Sequence, residues 1–77
     1  MAALGKLLRE RRQALGISQE ELSSRSGLDR TYISGVERGV RNPSLTALIK
    51  VATGLGVSVS GLLDGLEARI EEGEHDR

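Results

Sequence analysis

Between Gln19 and Arg38 the chain offers two helix-length segments separated only by Ser26-Gly27-Leu28. A turn of three or four residues containing glycine lets two helices cross steeply, because glycine takes a positive φ without a Cβ penalty. Ser23 is small where the two helices approach each other, and Ile33 and Val36 fill the space beneath. That leaves the outer face of the second segment on the surface. It reads Arg30, Thr31, Tyr32, Ser34, Gly35 and Arg38, with no acid except the capping Asp29.

The rest of the chain punctuates in the same way. Leu4, Leu7, Leu8, Arg11 and Leu15 recur at three and four residues, so a helix is expected from Ala3 to Leu15, closed by Gly16. Ser18 followed by Glu21 reads as a capping box for a helix reaching Ser26. Asp29 caps a third helix running to Arg38, and Gly39 ends it. After Val40-Arg41-Asn42-Pro43, Ser44 caps a fourth, with Leu45, Leu48, Val51, Ala52 and Leu55 on one face and Gly56 at its end. Ser58 or Ser60 opens a fifth containing Leu62 and Leu63, which residues 66–72 could extend. The expectation is an all-α, compact five-helix domain over 1–65, with an acidic helical extension and tail over 66–77 that is loose from Gly73 to Arg77.

Seventy-seven residues allow one domain and one core, and so short a chain gains from pairing with a second copy. The core is aliphatic, since Tyr32 is the single aromatic residue. Without cysteine there is no disulfide and no thiolate metal site. No apolar run approaches the ~20 residues that span a bilayer, and Lys6, Arg9, Arg11 and Arg12 break any signal-peptide pattern. A cytoplasmic chain with no membrane partner is expected. The net charge is zero, but residues 1–65 hold nine Lys/Arg against six Asp/Glu, and 66–77 hold two against five. The helical part is thus mildly basic, and a local field of that sign can steer an anionic polymer.

Nothing in the chain suggests catalysis. The single histidine, His75, sits in the acidic tail, and there is no nucleophile–base pair, paired apolar carboxylates or phosphate loop. No cofactor and no metal are expected.

The string QEELSSRSGLDRTYISGVERGVRNPSL resembles the lambda-repressor-like, or XRE-type, helix-turn-helix proteins, and the resemblance extends from residue 4 to about 63. Ser23, Gly27 and Ile33 fall at the family's spacing, although Ser23 stands where the family more often has alanine. Within the family, LDRTYISGVERGVRNPSL is most similar to the controller proteins of restriction-modification systems. The resemblance implies a sequence-specific DNA-binding regulator of transcription that controls such a gene set, its own promoter included. It also implies that two dimers can share one operator.

In helix-turn-helix docking the N-terminal end of the second motif helix enters the major groove. Arg30 sits there and can take a guanine O6/N7 edge. Thr31 offers a hydroxyl and a methyl, Tyr32 a ring and a hydroxyl, and Ser34 a short hydroxyl. The resemblance implies the same four as base readers. Each has a plainer alternative: a solvated arginine, a ring packed on the first helix, an idle hydroxyl. Phosphate contacts are expected from the flanks. Gln19 starts the second helix, where the dipole favours an anion, and in the family this glutamine holds a phosphate. Arg41 and Asn42 can reach the backbone from their loop, and Arg25 and Arg38 are further candidates. Arg12 and Glu37 match the family's internal arginine and its partner, which implies a structural salt bridge between the first and third helices.

One helix-turn-helix reads few base pairs, so a homodimer on a pseudo-palindromic stretch of double-stranded DNA is expected, with reading helices one turn (~34 Å) apart. Leu45, Ile49, Val57, Val59 and Leu62 are the candidate interface. Two rivals remain: a phage-type or general XRE repressor, and an antitoxin-like protein-interaction module.

Overall fold

Serine and aspartate side chains fix where four of the five helices begin. Ser18, Asp29, Ser44 and Ser58 each hold an extended backbone and accept a hydrogen bond from a backbone N–H two or three residues on. This satisfies donors that the first helical turn leaves without a partner. In the computed structural model, which describes residues 2–71, the helices are α1 (Ala2–Ala14), α2 (Gln19–Ser26), α3 (Arg30–Glu37), α4 (Leu45–Leu55) and α5 (Val59–Arg69). The loose tail expected at Gly73 to Arg77, with His75, lies outside the described residues. Of the two openings considered for α5, Ser58 is the one used, its Oγ accepting from the Gly61 N–H at 2.9 Å.

The turn between α2 and α3 is locked from both sides. Gly27 has φ 77°, and its N–H reaches the Ser23 carbonyl. The Ser23 hydroxyl donates to the Leu28 carbonyl, and the Leu28 N–H donates to Ser26 Oγ. Serine at position 23 therefore closes the turn with a bond that alanine could not make.

α2 packs on α4 and on α3, α1 lies against α3 and α5, and α4 meets α5. Leu4, Leu7 and Leu8 meet Leu22, Ile33, Val36, Val51, Ala52, Leu55 and Leu62 in one buried cluster. Each such aliphatic side chain contributes about 1.5–3 kcal/mol when fully buried.

Two details of the expected pattern are corrected. Leu45 is 68% exposed and does not join the core face of α4, which uses Ala47, Val51, Ala52 and Leu55. It is the first residue of its helix, and side chains lean toward the helix N-terminus, so it projects past the packed turn. Leu15, expected on the inner face of α1, lies just beyond the helix and is 49% exposed. The division expected after residue 65 falls inside α5. That helix continues to Arg69, Leu66 packs against the core, and the Arg69 guanidinium pairs with Glu10 of α1.

Gly5 carries a requirement the periodicity did not reveal. A Cβ there would stand 2.4 Å from the Val36 carbonyl oxygen and 2.5 Å from that of Glu37. α1 thus rests directly on the backbone at the end of α3. Gly5→Ala gains about 1 kcal/mol of helix propensity but forces two helices apart, and overpacking costs about 1–3 kcal/mol. We expect a net loss, seen as a melting temperature lowered by several degrees; an unchanged or raised value would mean that α1 does not sit this close.

Candidate nucleic-acid interface

The site is built outward from a buried ion pair. Arg12 Nε and Nη2 donate to Glu37 Oε2 and Oε1 at 2.8 and 3.0 Å, a bidentate pair between α1 and the end of α3. The Glu37 side chain is 3% exposed and that of Arg12 11%. Arg12 Nη1 also donates to the Ile17 carbonyl at 2.8 Å. The hydrogen bond to Glu37 holds the Arg12 guanidinium above its ordinary pKa, outweighing the opposing effect of burial. Gln19 Nε2 adds a third donor to the same carboxylate, at 3.0 Å from Oε1.

Arg30 opens α3 and is exposed. Its Nη1 lies 3.5 Å from Gln19 Oε1, a long contact that steers the guanidinium without clamping it. Arg12, Ser18, Gln19, Glu20 and Arg30 together line a shallow open depression beside the start of α2. Gln19 reaches it with its amide nitrogen already given to Glu37.

Thr31 is exposed, and both its hydroxyl and its backbone N–H donate to Asp29 Oδ2. The hydroxyl proton is thereby committed, which leaves the oxygen as an acceptor and the methyl for apolar contact. The hydroxyl first, and then the backbone N–H, hold the Asp29 carboxyl below its ordinary pKa. A carboxyl lowered in the folded state stabilises the fold above its unfolded value, and that stabilisation is lost as pH falls through the lowered native value. Asp29→Asn is therefore expected to melt below the parent at neutral pH and to close the gap on acidification. Melting at stepped pH checks this; a gap that widened in acid would contradict the capping role.

Tyr32 has two attachments. Its ring is half-buried against the core, and its hydroxyl oxygen accepts from the Ser44 N–H at 3.3 Å. The Arg41 guanidinium lies 5.2 Å from the ring centroid, within cation–π reach. Tyr32 therefore ties α3 to the loop carrying Arg41 and Asn42 and to the first turn of α4. Composition hinted at this only through the presence of a lone aromatic residue. Ser34 is half-buried on α3, while Arg38, at its C-cap, is exposed, as are Arg41 and Asn42. Arg25 forms an exposed pair with Glu21 one turn earlier on α2, at 3.1 Å, and such pairs contribute little to stability.

The interface candidates separate. Leu45 and Ile49 are 68% and 48% exposed, one turn apart on α4. Val57 and Val59 are half-buried and pack against the chain's own core. Leu62 is corrected: it is 1% exposed and belongs to the core, because it shares a stripe with Val59 and Leu66. Its neighbour Leu63, 43% exposed, was not proposed for the interface although adjacent helical positions cannot face the same way.

The comparisons agree with this architecture. A helix-turn-helix family model matches residues 8–62. Control protein C.MunI from a Mycoplasma species is 42% identical over 62 residues, covering 80% of this chain and 84% of that protein. The restriction-modification controller protein C.AhdI from Aeromonas hydrophila is 51% identical with a TM-score of 0.77, over 79% of this chain and 92% of that one. The chain belongs to the helix-turn-helix family, among its restriction-modification controllers. A further controller, C.Esp1396I, solved bound to a 19 base pair DNA duplex, has a TM-score of 0.83 at 36% identity, over 90% of this chain and 92% of that one. In a helix-turn-helix protein the open end of α3, where Arg30 and Thr31 stand, is the part shaped for a groove. Among the described residues no single helix is long and apolar enough to cross a membrane.

Proposed function

We propose that this chain acts in the cytoplasm as a homodimer. It binds a pseudo-palindromic operator in double-stranded DNA and regulates a restriction-modification gene set that includes its own promoter. The observation that carries this reading is the exposed Arg30 at the start of α3, backed through Gln19 by the buried Arg12–Glu37 pair. A donor fork on a rigid mount suits a guanine edge in the major groove. Thr31, Tyr32 and Ser34 supply the neighbouring base contacts. The flanking groups Gln19, Arg25, Arg38, Arg41 and Asn42 face the phosphates, which fix register and carry no sequence information. The DNA complex of C.Esp1396I supports DNA as the partner class.

The dimer is assigned to the open side of α4, with Leu45 and Ile49, in an isologous two-fold arrangement. Ile49→Lys places a charge on that face while sparing the core. It is expected to shift the chain from dimer toward monomer in sedimentation equilibrium, with the melting of the monomer little changed. Hydroxyl-radical footprinting on the DNA upstream of the gene tests the whole reading. The parent should protect paired patches one helical turn apart, and Ile49→Lys should weaken both together. A single unpaired patch, or no protection, would overturn the proposal. Binding of two dimers to one operator follows from the same reading and would appear as two such pairs filled in sequence.

A further inference from the structure

We propose that the buried Glu37 carboxylate, besides bracing the fold, positions Arg30 for base reading, with the Gln19 side-chain amide as the connector. The inference rests on the DNA-reading role assigned above. An ionised carboxylate only accepts hydrogen bonds and a guanidinium only donates them. Gln19 stands between one of each: its Nε2 is 3.0 Å from Glu37 Oε1, and its Oε1 is 3.5 Å from Arg30 Nη1. Only one orientation of the amide satisfies both neighbours, so Glu37 dictates which end of Gln19 is turned toward Arg30. The carboxylate is itself held by two bonds from Arg12 and is nearly sealed from water. The order of control runs from an immobile ion pair, through a half-buried amide, to an exposed guanidinium.

This assigns Gln19 a role different from a phosphate ligand. Its amide N–H group is directed at Glu37, away from any free anion, and what it presents outward is an acceptor that Arg30 can lean on. The contact to Arg30 is long, so its effect is to narrow the directions the guanidinium samples before it meets a base. Preorganisation of that kind raises selectivity more than gross affinity.

The test uses the full chain and the DNA upstream of its gene. The probe guanine is the one whose replacement the parent senses and Arg30→Ala does not. Gln19→Met keeps the length of the side chain and leaves both Arg12–Glu37 bonds in place. It is expected to lower discrimination at that guanine by about three- to tenfold, a fraction of what a bidentate contact supplies, with the salt slope of binding and the melting temperature close to the parent's. In the Arg30→Ala background the same change should alter discrimination no further. Glu37→Gln should melt lower yet lose selectivity only while Gln19 is present. If Gln19→Met instead weakens binding equally on all sequences and flattens the salt slope, Gln19 is a phosphate ligand and the positioning role is overturned. Full additivity with Arg30→Ala would overturn it equally. A parent that does not discriminate its upstream DNA from scrambled DNA would fail the DNA-reading role first, which separates the two failures.

Discussion

Arg12→Ala is expected to lower the stability of this chain by about 3–5 kcal/mol, because it strips a buried carboxylate of its counter-charge. Glu37 is 3% exposed and accepts two of its three bonds from Arg12. After the substitution only Gln19 remains to compensate a charge that water cannot reach. For a domain of this size the whole stability is about 4–12 kcal/mol, so a loss on that scale leaves a large unfolded fraction at ordinary temperature. Replacing both partners by apolar residues of similar volume, Arg12→Met with Glu37→Leu, should recover much of the loss, since a buried pair contributes little beyond an apolar match. Urea melts of the two variants decide the point. Equal midpoints for the parent and Arg12→Ala would mean that the pair is solvated and structurally idle.

Arg30→Ala is expected to do the reverse. The side chain is exposed and its only described contact is the long one to Gln19, so its removal should leave melting within about 0.5 kcal/mol of the parent. A bidentate arginine–guanine contact supplies about 1–3 kcal/mol of discrimination, a five- to 150-fold preference between the right and wrong base. Competition binding with single-base variants of the upstream DNA should show that preference lost at one symmetric pair of positions and kept elsewhere. Persistence of full preference everywhere would mean that α3 does not read with its first residue.

These two substitutions mark the boundary of what the sequence made legible. Helix starts were readable because capping is local chemistry: Ser18, Asp29 and Ser44 each act within three residues of themselves. The turn at Gly27 was readable because only a positive φ fits a link that short. The pairing of Arg12 with Glu37, 25 residues apart, came from resemblance; spacing alone does not predict it. Tertiary contacts of the same reach were missed where nothing local signals them. Examples are the Tyr32 hydroxyl under Ser44 N–H, Arg41 over the Tyr32 ring, and the Glu10–Arg69 pair that secures the end of α5. Gly5 left a faint signal, a glycine inside a helical pattern, but its partner is the backbone of a helix some thirty residues away. Leu45 and Leu62 exchanged places for a reason periodicity contains only in part. The stripe of Val59, Leu62 and Leu66 could have been read as inward, whereas the exposure of Leu45 depends on nothing being packed over the first turn of α4.

The central claim is that this chain binds DNA in a sequence-specific way, and a salt-titrated competition assay tests it most directly. The DNA upstream of the gene is set against a scrambled duplex of equal composition. The account predicts tight binding to the upstream DNA with a preference of at least ~10³ over the scrambled duplex, falling steeply as salt rises through phosphate counterion release. Weak binding with no preference at any salt would contradict it, and would point instead to a chain whose exposed surfaces engage another protein.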